Sequence, residues 1–582
     1  MIRKRVSKKN KSNSIGSQRI YVLTATVIIL GLIILARLYV LQVLAFSKYR
    51  ALADGQHKVF SELTAKRGEI YLKDGDEDEY PLAVNKDYSM VYIEPKIIKN
   101  KDEVIDKLSE ILKIDKEEIR TKFSNPNSMF KIIKHKISSQ EVEQIKSLKL
   151  SGVKITTETL RYYPGSELAS QIVGFVGSDG KETVGRYGIE SYWEKELRGK
   201  NGSLSQERDS RGRWMSITDR NIVPAKDGVD LVLTIDATVQ YEIEKILKKT
   251  IEKHSADEGT IIVQDPETGK ILAMANYPNF NVNDFNKVED MKVFSNSSVN
   301  SAYEPGSVFK AFTLATGIDT GVISASTTYV DNGFVKKSGY TIKNSDEKAH
   351  GKQTMTQVLE KSLNTGVIFA EKLIGNKRFG DYVKKFGFGE KTGIELPGDA
   401  RGNTKNLKNP KRDIEFYTVA YGQGITTTPL QLVDAYSAIA NGGLLMKPQI
   451  IDKIIYPNGK EKTIEPEKKC RVIKEDTAKE MRKMLQSVVV NGHGKRAAVP
   501  GYNVGGKTGT AQVAKKGSRG YEDGFTIGTF IGIAPVEKPL FTVLIKIVNP
   551  KDVQWAESSA APAFGEVMKF LLNYYNVEPI NT

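Results

Sequence analysis

Residues 20–36 read IYVLTATVIILGLIILA, an uncharged apolar run that resumes after Arg37 as LYVLQVLAF. A stretch of this kind must be buried in a core or in a bilayer. Helix from Ile20 to about Gln42, rising about 1.5 Å per residue, spans a hydrocarbon layer about 30 Å thick. Residues 1–19 hold Arg3, Lys4, Arg5, Lys8, Lys9, Lys11 and Arg19 and no acid. Positive charge before the run and mixed charge after it predict a cytoplasmic amino terminus, with everything beyond residue 47 outside. A cleaved signal peptide fits less well. The run is long, no A-x-A site follows, and the only cysteine, Cys470, lies too far away for a lipoprotein box. The expectation is a basic tail over 1–19 and an uncleaved single-pass anchor over 20–42.

What remains of the 582 residues has room for more than two units of about 150 residues. A composition of 40% hydrophobic and 27% charged residues excludes both whole-chain disorder and a multispanning membrane protein. One cysteine rules out an internal disulfide, C-x-x-C redox chemistry and Cys-rich zinc sites. Five histidines, none in an H-E-x-x-H arrangement, leave no zinc-hydrolase signature, so no metal is expected. The net charge of +16 is concentrated in the tail and otherwise diffuse, without a basic stripe carrying aromatics, so no nucleic-acid partner is expected.

From Ser47 to about Ala225, charged helical stretches such as KDEVIDKLSEILKIDKEEIRTKF alternate with short strand-like runs such as YSMVYIEP, as in an irregular α+β region. From Asp230 the texture changes. LVLTI and GTIIVQDPETGKILAMANYP read as strands, helical patterns fill the middle, and TIGTFIGIAPV and LFTVLIKIV supply two more strands before a last amphipathic helix. Strands, helices and strands in that order predict an antiparallel sheet flanked by helices, and the class is α+β.

Chemistry-bearing residues enter with YEPGSVFKAFTLATG, where Ser307 and Lys310 stand three apart at a helix start. Residues i and i+3 share a helix face, so the Lys310 amine can reach the Ser307 hydroxyl. A lysine acts as general base for a serine nucleophile only when neutral, which burial and a second cation both favour. The pair alone is weak, because S-x-x-K also starts at Ser128, Ser151, Ser178 and Ser345. Its company is specific: Ser362 and Asn364 follow in LEKSLNTGV, and Lys507, Thr508, Gly509 and Thr510 in VGGKTGTAQVA. S-x-x-K, S-x-N and K-T-G in that order form a serine acyl-transfer set. Ser362 can pass a proton to the leaving amine, and Asn364 can hold a substrate amide. Along a strand Thr508 and Thr510 project together and Lys507 to the other face, while Gly509 leaves the backbone open for a docking peptide. Hydroxyls and the Lys507 cation suit a terminal carboxylate, and the Ser307 and Thr510 N–H groups an oxyanion hole. The plain alternative is that Ser362 and Asn364 cap a helix and the threonines are ordinary strand residues.

Two decoys are set aside. A second K-T-G at Lys391, Thr392 and Gly393 precedes Pro397 and Gly398 and reads as a turn. GYNVGGKT, Gly501 to Thr508, satisfies the phosphate-loop pattern but lacks the strand before and the helix after that such a loop requires. No G-x-S-x-G elbow occurs.

With these residues the chain resembles the class B penicillin-binding proteins, membrane-anchored peptidoglycan D,D-transpeptidases. The resemblance extends to RGEIYLKDG (Arg67 to Gly75), PLAVN (Pro81 to Asn85), RYYPGSELASQIVGFVG and GRYGIESYWEKELRGKNG, which look like motifs of the family's pedestal. YGQGITTTPLQL, Tyr421 to Leu432, is similar to the segment between the second and third catalytic motifs and leans toward the division and sporulation-like branch. The acidic DEDEY before Pro81 departs from the family, where a shorter turn is usual.

The resemblance implies a pedestal over 47–225 and a transpeptidase domain of serine β-lactamase-like fold over 226–575. No appended cell-wall-binding repeats and no glycosyltransferase domain are expected. It implies that Ser307 attacks a D-Ala-D-Ala stem peptide, releases D-Ala and passes the acyl group to the amine of a neighbouring stem. It implies covalent capture of β-lactams, no cofactor, and partners that include the membrane, a SEDS-type glycan polymerase and other cell-wall synthesis proteins. Two other readings share the motifs: a D,D-carboxypeptidase or β-lactamase, in which water replaces the acceptor amine, and a noncatalytic scaffold of the wall-building complex.

Overall fold

The structure, a computed structural model, describes residues 14–45, 58–75, 78–178, 183–207, 221–514 and 521–580. Most of the basic tail and residues 76–77 of the acidic DEDEY lie outside these. The chain forms two compact units, one drawn from residues 1–65 and 200–226, the other from 66–199 and 227–582.

In the first unit, helix α1 (Ser14–Tyr39) runs on through a wider turn, Val40–Leu44. Its apolar part, Val22–Leu44, has a mean hydropathy of 2.5 and is not buried by the protein. At about 1.5 Å per residue it is long enough to cross a bilayer, and it lies two residues further on than the expected 20–42. A three-stranded antiparallel sheet of Lys58–Leu63, Gly202–Glu207 and Asn221–Val223 belongs to the same unit.

Among the described residues the second unit contains two large sheets and four two-stranded ones. The first pairs β1 (Ile70–Asp74), β2 (Asp78–Ile93), β3 (Lys131–Ile137) and β4 (Val153–Tyr162) antiparallel, with β2 the common partner of the other three. Helix Lys101–Leu112, capped by Asn100, buries Val104, Ile105 and Leu108 against Val91 and Ile93 of β2. The sequence expectation needs correction at one strand. LVLTI, within β5 (Asp230–Asp236), does not join the helix-flanked sheet; it runs parallel to β1 and antiparallel to Ile451–Ile455. An apolar run announces burial but not its hydrogen-bonding partner.

The second sheet is the expected antiparallel one: β6 (Glu258–Gln264), β7 (Ile271–Tyr277), β8 (Gly505–Ala514), β9 (Tyr521–Ala534) and β10 (Phe541–Val548), in the spatial order β7-β6-β10-β9-β8. Every residue of the central β10 is buried, as a strand covered on both faces requires. Helix α2 (Ala237–His254), capped by Asp236, packs on one face. On the other lie α3 (Lys310–Asp319), α4 (Met355–Glu360), α5 (Asn364–Ile374), α6 (Asn376–Lys385), α7 (Pro429–Ala440) and α8 (Glu475–Asn491), while the last helix, α9 (Ala560–Tyr574), returns to the face of α2. The edge strand β8 therefore faces the turn that leads into α3.

The motifs quoted around the first sheet converge on one buried ion cluster. Glu190 is fully buried and meets Arg67 at 2.5 Å and Arg161 at 2.6 Å, and Arg67 also reaches Glu194 at 2.7 Å. Asn85 donates to the Arg67 carbonyl, and the Tyr163 hydroxyl donates to Glu190. Burial opposes the charge on Glu190, but Arg161 and Arg67 outweigh it and hold the carboxyl below its ordinary range.

Candidate active site

The segment before Ser307 is fastened from one direction. Tyr303 exchanges both backbone hydrogen bonds with Thr427, at 3.0 and 2.9 Å, Gly306 N donates to Gly422 O at 3.0 Å, and Gly424 N donates to Glu304 Oε1 at 2.9 Å. Gly306 has φ of +58°, and a Cβ on Gly422 (φ +85°) would stand 2.0 Å from Gly306 O. Only glycine permits that approach with that backbone. A tight turn, Gly306–Phe309, then carries the half-buried Ser307 and leads into α3 at Lys310, one turn later on the same side.

The three stretches singled out in the sequence meet here. Lys310 is fully buried and its Nζ donates to Ser362 O at 2.5 Å and Ser362 Oγ at 3.2 Å. From the opposite side Lys507 Nζ, also fully buried, donates to the same Ser362 Oγ at 3.0 Å and to Thr508 O at 2.9 Å. Ser362 sits in the link between α4 and α5 with φ of +56°, a left-handed conformation that costs a non-glycine residue about 1–2 kcal/mol. Leu363, not Ser362 or Asn364, occupies the N-cap of α5, and no side chain caps it. The plain capping alternative therefore fails for both residues.

Electrostatics favour a neutral amine. Burial pushes Lys310 well below the ordinary lysine value, and the neighbouring Lys507 cation pushes it further. Burial alone brings Lys507 down to about 7. The constellation places the Ser362 hydroxyl between two buried amines, Lys310 and Lys507, along which a proton can pass; the hydrogen bonds of Lys310 Nζ go to Ser362, and Ser307 stands one turn before Lys310.

Three expectations change in detail. Gly509 has a part that the expected opening for a peptide did not include: a Cβ there would lie 2.9 Å from Pro305 O and 2.9 Å from Val308 Cγ1, so the bare position lets β8 press against the turn that carries Ser307. Thr510 Oγ1 accepts from Ala556 N at 3.2 Å, which turns that hydroxyl toward the segment before α9. Lys507 is not set apart from the threonines either, because its four-carbon stem carries Nζ to within 3.4 Å of Thr508 Oγ1. Asn364 Nδ2 donates to Lys343 O at 2.8 Å, tying it to the hairpin Phe334–Lys337 and Tyr340–Lys343. The decoys behave as turns and strands: Thr392 N and Oγ1 are bound by Asp399, and Gly501 to Thr508 leads into β8. The part of Glu304, Gly422 and Thr427 was missed; the paired glycines of YGQG were its visible signal.

Comparison with known proteins agrees. The model of the penicillin binding protein transpeptidase domain matches residues 259–569, and that of the penicillin-binding protein dimerisation domain matches residues 62–233. Stage V sporulation protein D of Bacillus subtilis is 34% identical over 558 residues, covering 95% of this chain and 85% of that protein. The peptidoglycan D,D-transpeptidase FtsI of Buchnera aphidicola (subsp. Schizaphis graminum) is 31% identical over 574 residues, covering 96% of each. A crystal structure of penicillin binding protein 3 of Mycobacterium tuberculosis complexed with aztreonam superposes with a TM-score of 0.69 at 26% identity, covering 90% of this chain and 98% of that one. With its three motifs gathered around Ser362 and both family domains in place, the chain belongs to the class B penicillin-binding proteins.

Proposed function

We propose that the protein is a peptidoglycan D,D-transpeptidase in which Ser307 is the nucleophile and neutral Lys310 its base. The observation that carries this reading is the sharing of Ser362 Oγ by two fully buried lysines, Lys310 and Lys507, one helical turn from Ser307. Ser307 Oγ adds to the penultimate D-Ala carbonyl while Lys310 takes its proton, and the oxyanion is held by the backbone N–H groups of Ser307 and Thr510. The proton passes through Ser362 to the departing D-Ala amine, which leaves an ester on Ser307. An amine of a neighbouring stem then attacks the ester and restores the hydroxyl. Lys507 with Thr508 draws the substrate carboxylate, and Asn364 orients the stem amide.

The same reading covers covalent capture of β-lactams, whose ring amide stands in for the D-Ala-D-Ala bond. It also gives an amino terminus in the cytoplasm, a catalytic unit outside, and a SEDS-type glycan polymerase as the expected partner. The positive residues before α1 and the apolar length of Val22–Leu44 support the topology.

Intact-mass analysis after benzylpenicillin, with the adduct mapped to one peptide, tests the chemistry. One adduct on the Ser307 peptide is expected, absent in Ser307→Ala. Lys310→Ala should still bind ligand but acylate at least about 100-fold more slowly. Labelling of Ser307→Ala, or normal acylation of Lys310→Ala, overturns the assignment. Crosslinked rather than hydrolysed stems from purified substrate separate transpeptidation from carboxypeptidase action.

A further inference from the structure

The central strand β10 buries a lysine that the acyl-transfer steps do not use: Lys546 is 2% exposed. In register it stands between Thr529 of β9 and Thr260 of β6, and Thr529 in turn faces Gly509 of β8. Residues opposite one another in a sheet project to the same side, so Gly509, Thr529, Lys546 and Thr260 form one row across one face. The segment leading to Ser307 lies over that row. A Cβ on Gly509 would meet Pro305 and Val308, and Thr529 Oγ1 and the Tyr303 hydroxyl are hydrogen-bonded at 3.0 Å. Lys546 Nζ lies over the Tyr303 ring, 4.8 Å from its centroid, and has no ion-pair partner among the described residues. Tyr303 is thereby held at its backbone by Thr427, at its hydroxyl by Thr529 and at its ring by Lys546.

Burial raises the Tyr303 hydroxyl and keeps the phenol neutral, so what the ring offers the amine is its π face. A leucine or methionine would fill the same place without the penalty of burying an amine; what lysine adds is attraction for that ring. We propose that Lys546 is a positioning residue for acylation: its ammonium holds the Tyr303 ring, and through it the 303–306 segment that presents Ser307 to substrate. The role rests on the acyl-transfer reading of Ser307 given above. Burial brings Lys546 down to about 8, and Glu258, on the same face of β6, partly opposes this. The other titratable groups on the packed elements are bound elsewhere. Asp434 and Tyr436 of α7 meet Gln264 and the Val308 carbonyl, Glu304 accepts from Gly424 N, and Lys310 and Lys507 donate to Ser362. From Phe525 onward β9 carries no charged residue. The amine is therefore charged below about pH 8 and neutral above it, and its hold on the ring is lost on the alkaline side.

The test is stopped-flow acylation of the full chain in detergent by a fluorescent penicillin, from pH 7 to pH 10, with saturation separating the acylation rate constant from the Kd of the preceding complex. In wild type the rate constant should fall about tenfold across a step centred near pH 8. Loss of charge on Lys507, which draws the ligand carboxylate, shows in Kd instead. Lys546→Arg stays a cation throughout and should abolish the step. Lys546→Met should show the low rate constant already at pH 7, with Kd within about threefold of wild type. A missing step in wild type, a step that persists in both variants, or a wild-type rate constant at pH 7 in Lys546→Met overturns the role. Should Lys546→Arg fail to fold, seen as a lost thermal transition, Lys546→Met decides. Hydrogen exchange of the 303–309 peptide at pH 7 reads the same placement without chemistry. Exchange about tenfold faster than wild type is expected in Lys546→Met and not in Lys546→Arg, and equal exchange in Lys546→Met and wild type overturns the role. If wild-type protein takes no label, it is the acyl-transfer reading that fails, and the exchange measurement decides on Lys546.

Discussion

At the scale of single residues, the site depends on two buried lysines competing for one serine hydroxyl. In the folded chain Lys507 titrates at about 7 and in the unfolded chain near its ordinary 10.5. Between those values the unfolded state binds the extra proton, so stability rises with pH across that window and is lost again as pH falls toward 7. Lys310 is depressed as well and contributes with the same sign. Urea unfolding of the full chain from pH 7 to pH 9 should show this rise, and Lys507→Met should flatten it; an unchanged slope in that variant counters the assignment. For the chemistry the sign gives a different limb. Acylation by a fluorescent penicillin should be near its plateau at neutral pH and fall by about tenfold per pH unit once acid protonates Lys310. The i, i+3 spacing made the Ser307–Lys310 pair legible, since it is local. The left-handed backbone of Ser362 was not, because no residue pattern announces a strained serine.

At the scale of elements, the nucleophile turn is gripped between β8 and the loop before α7. Two glycines make the grip possible, Gly509 against Pro305 and Gly422 against Gly306. Gly422→Ala would put a methyl into the Gly306 carbonyl at a backbone angle hostile to alanine. We expect acylation to fall by about 100-fold, the loss associated with a displacement near 1 Å at a reacting group. Stopped-flow labelling measures it, and a rate within about threefold of wild type would show that the turn is held by other means. Thr428, Pro429 and Gln431 start α7 as a capping box with proline at the first helical position, a pattern present in TTTPLQL itself. Strand β10 was equally readable from its apolar run, which only Thr542 and Lys546 interrupt. β5 was not assigned to its sheet, since burial reads from one strand while pairing depends on another.

Across the whole second unit, the buried cluster of Arg67, Arg161 and Glu190 ties the segment before β1, β4 and the helix that starts at Gly188 together, far in sequence from Ser307, Ser362 and Lys507. Glu190→Gln would leave two arginines near a neutral amide in a buried place, and we expect a loss of about 3–5 kcal/mol in unfolding free energy. Thermal denaturation of the full chain checks this, and a loss below about 1 kcal/mol would show that the arginines find other partners. The amino-acid sequence by itself determined the apolar amino-terminal helix, the α+β class, the three motifs proposed as catalytic and the rejection of both decoys, because each is read from residue types and their order along the chain. Only the tertiary structure decided that Lys507 shares Ser362 with Lys310, that Gly509 faces the nucleophile turn, and that Lys546 lies over the Tyr303 ring. Those are relations between side chains brought together from distant parts of the chain, and their protonation follows from the water that packing excludes.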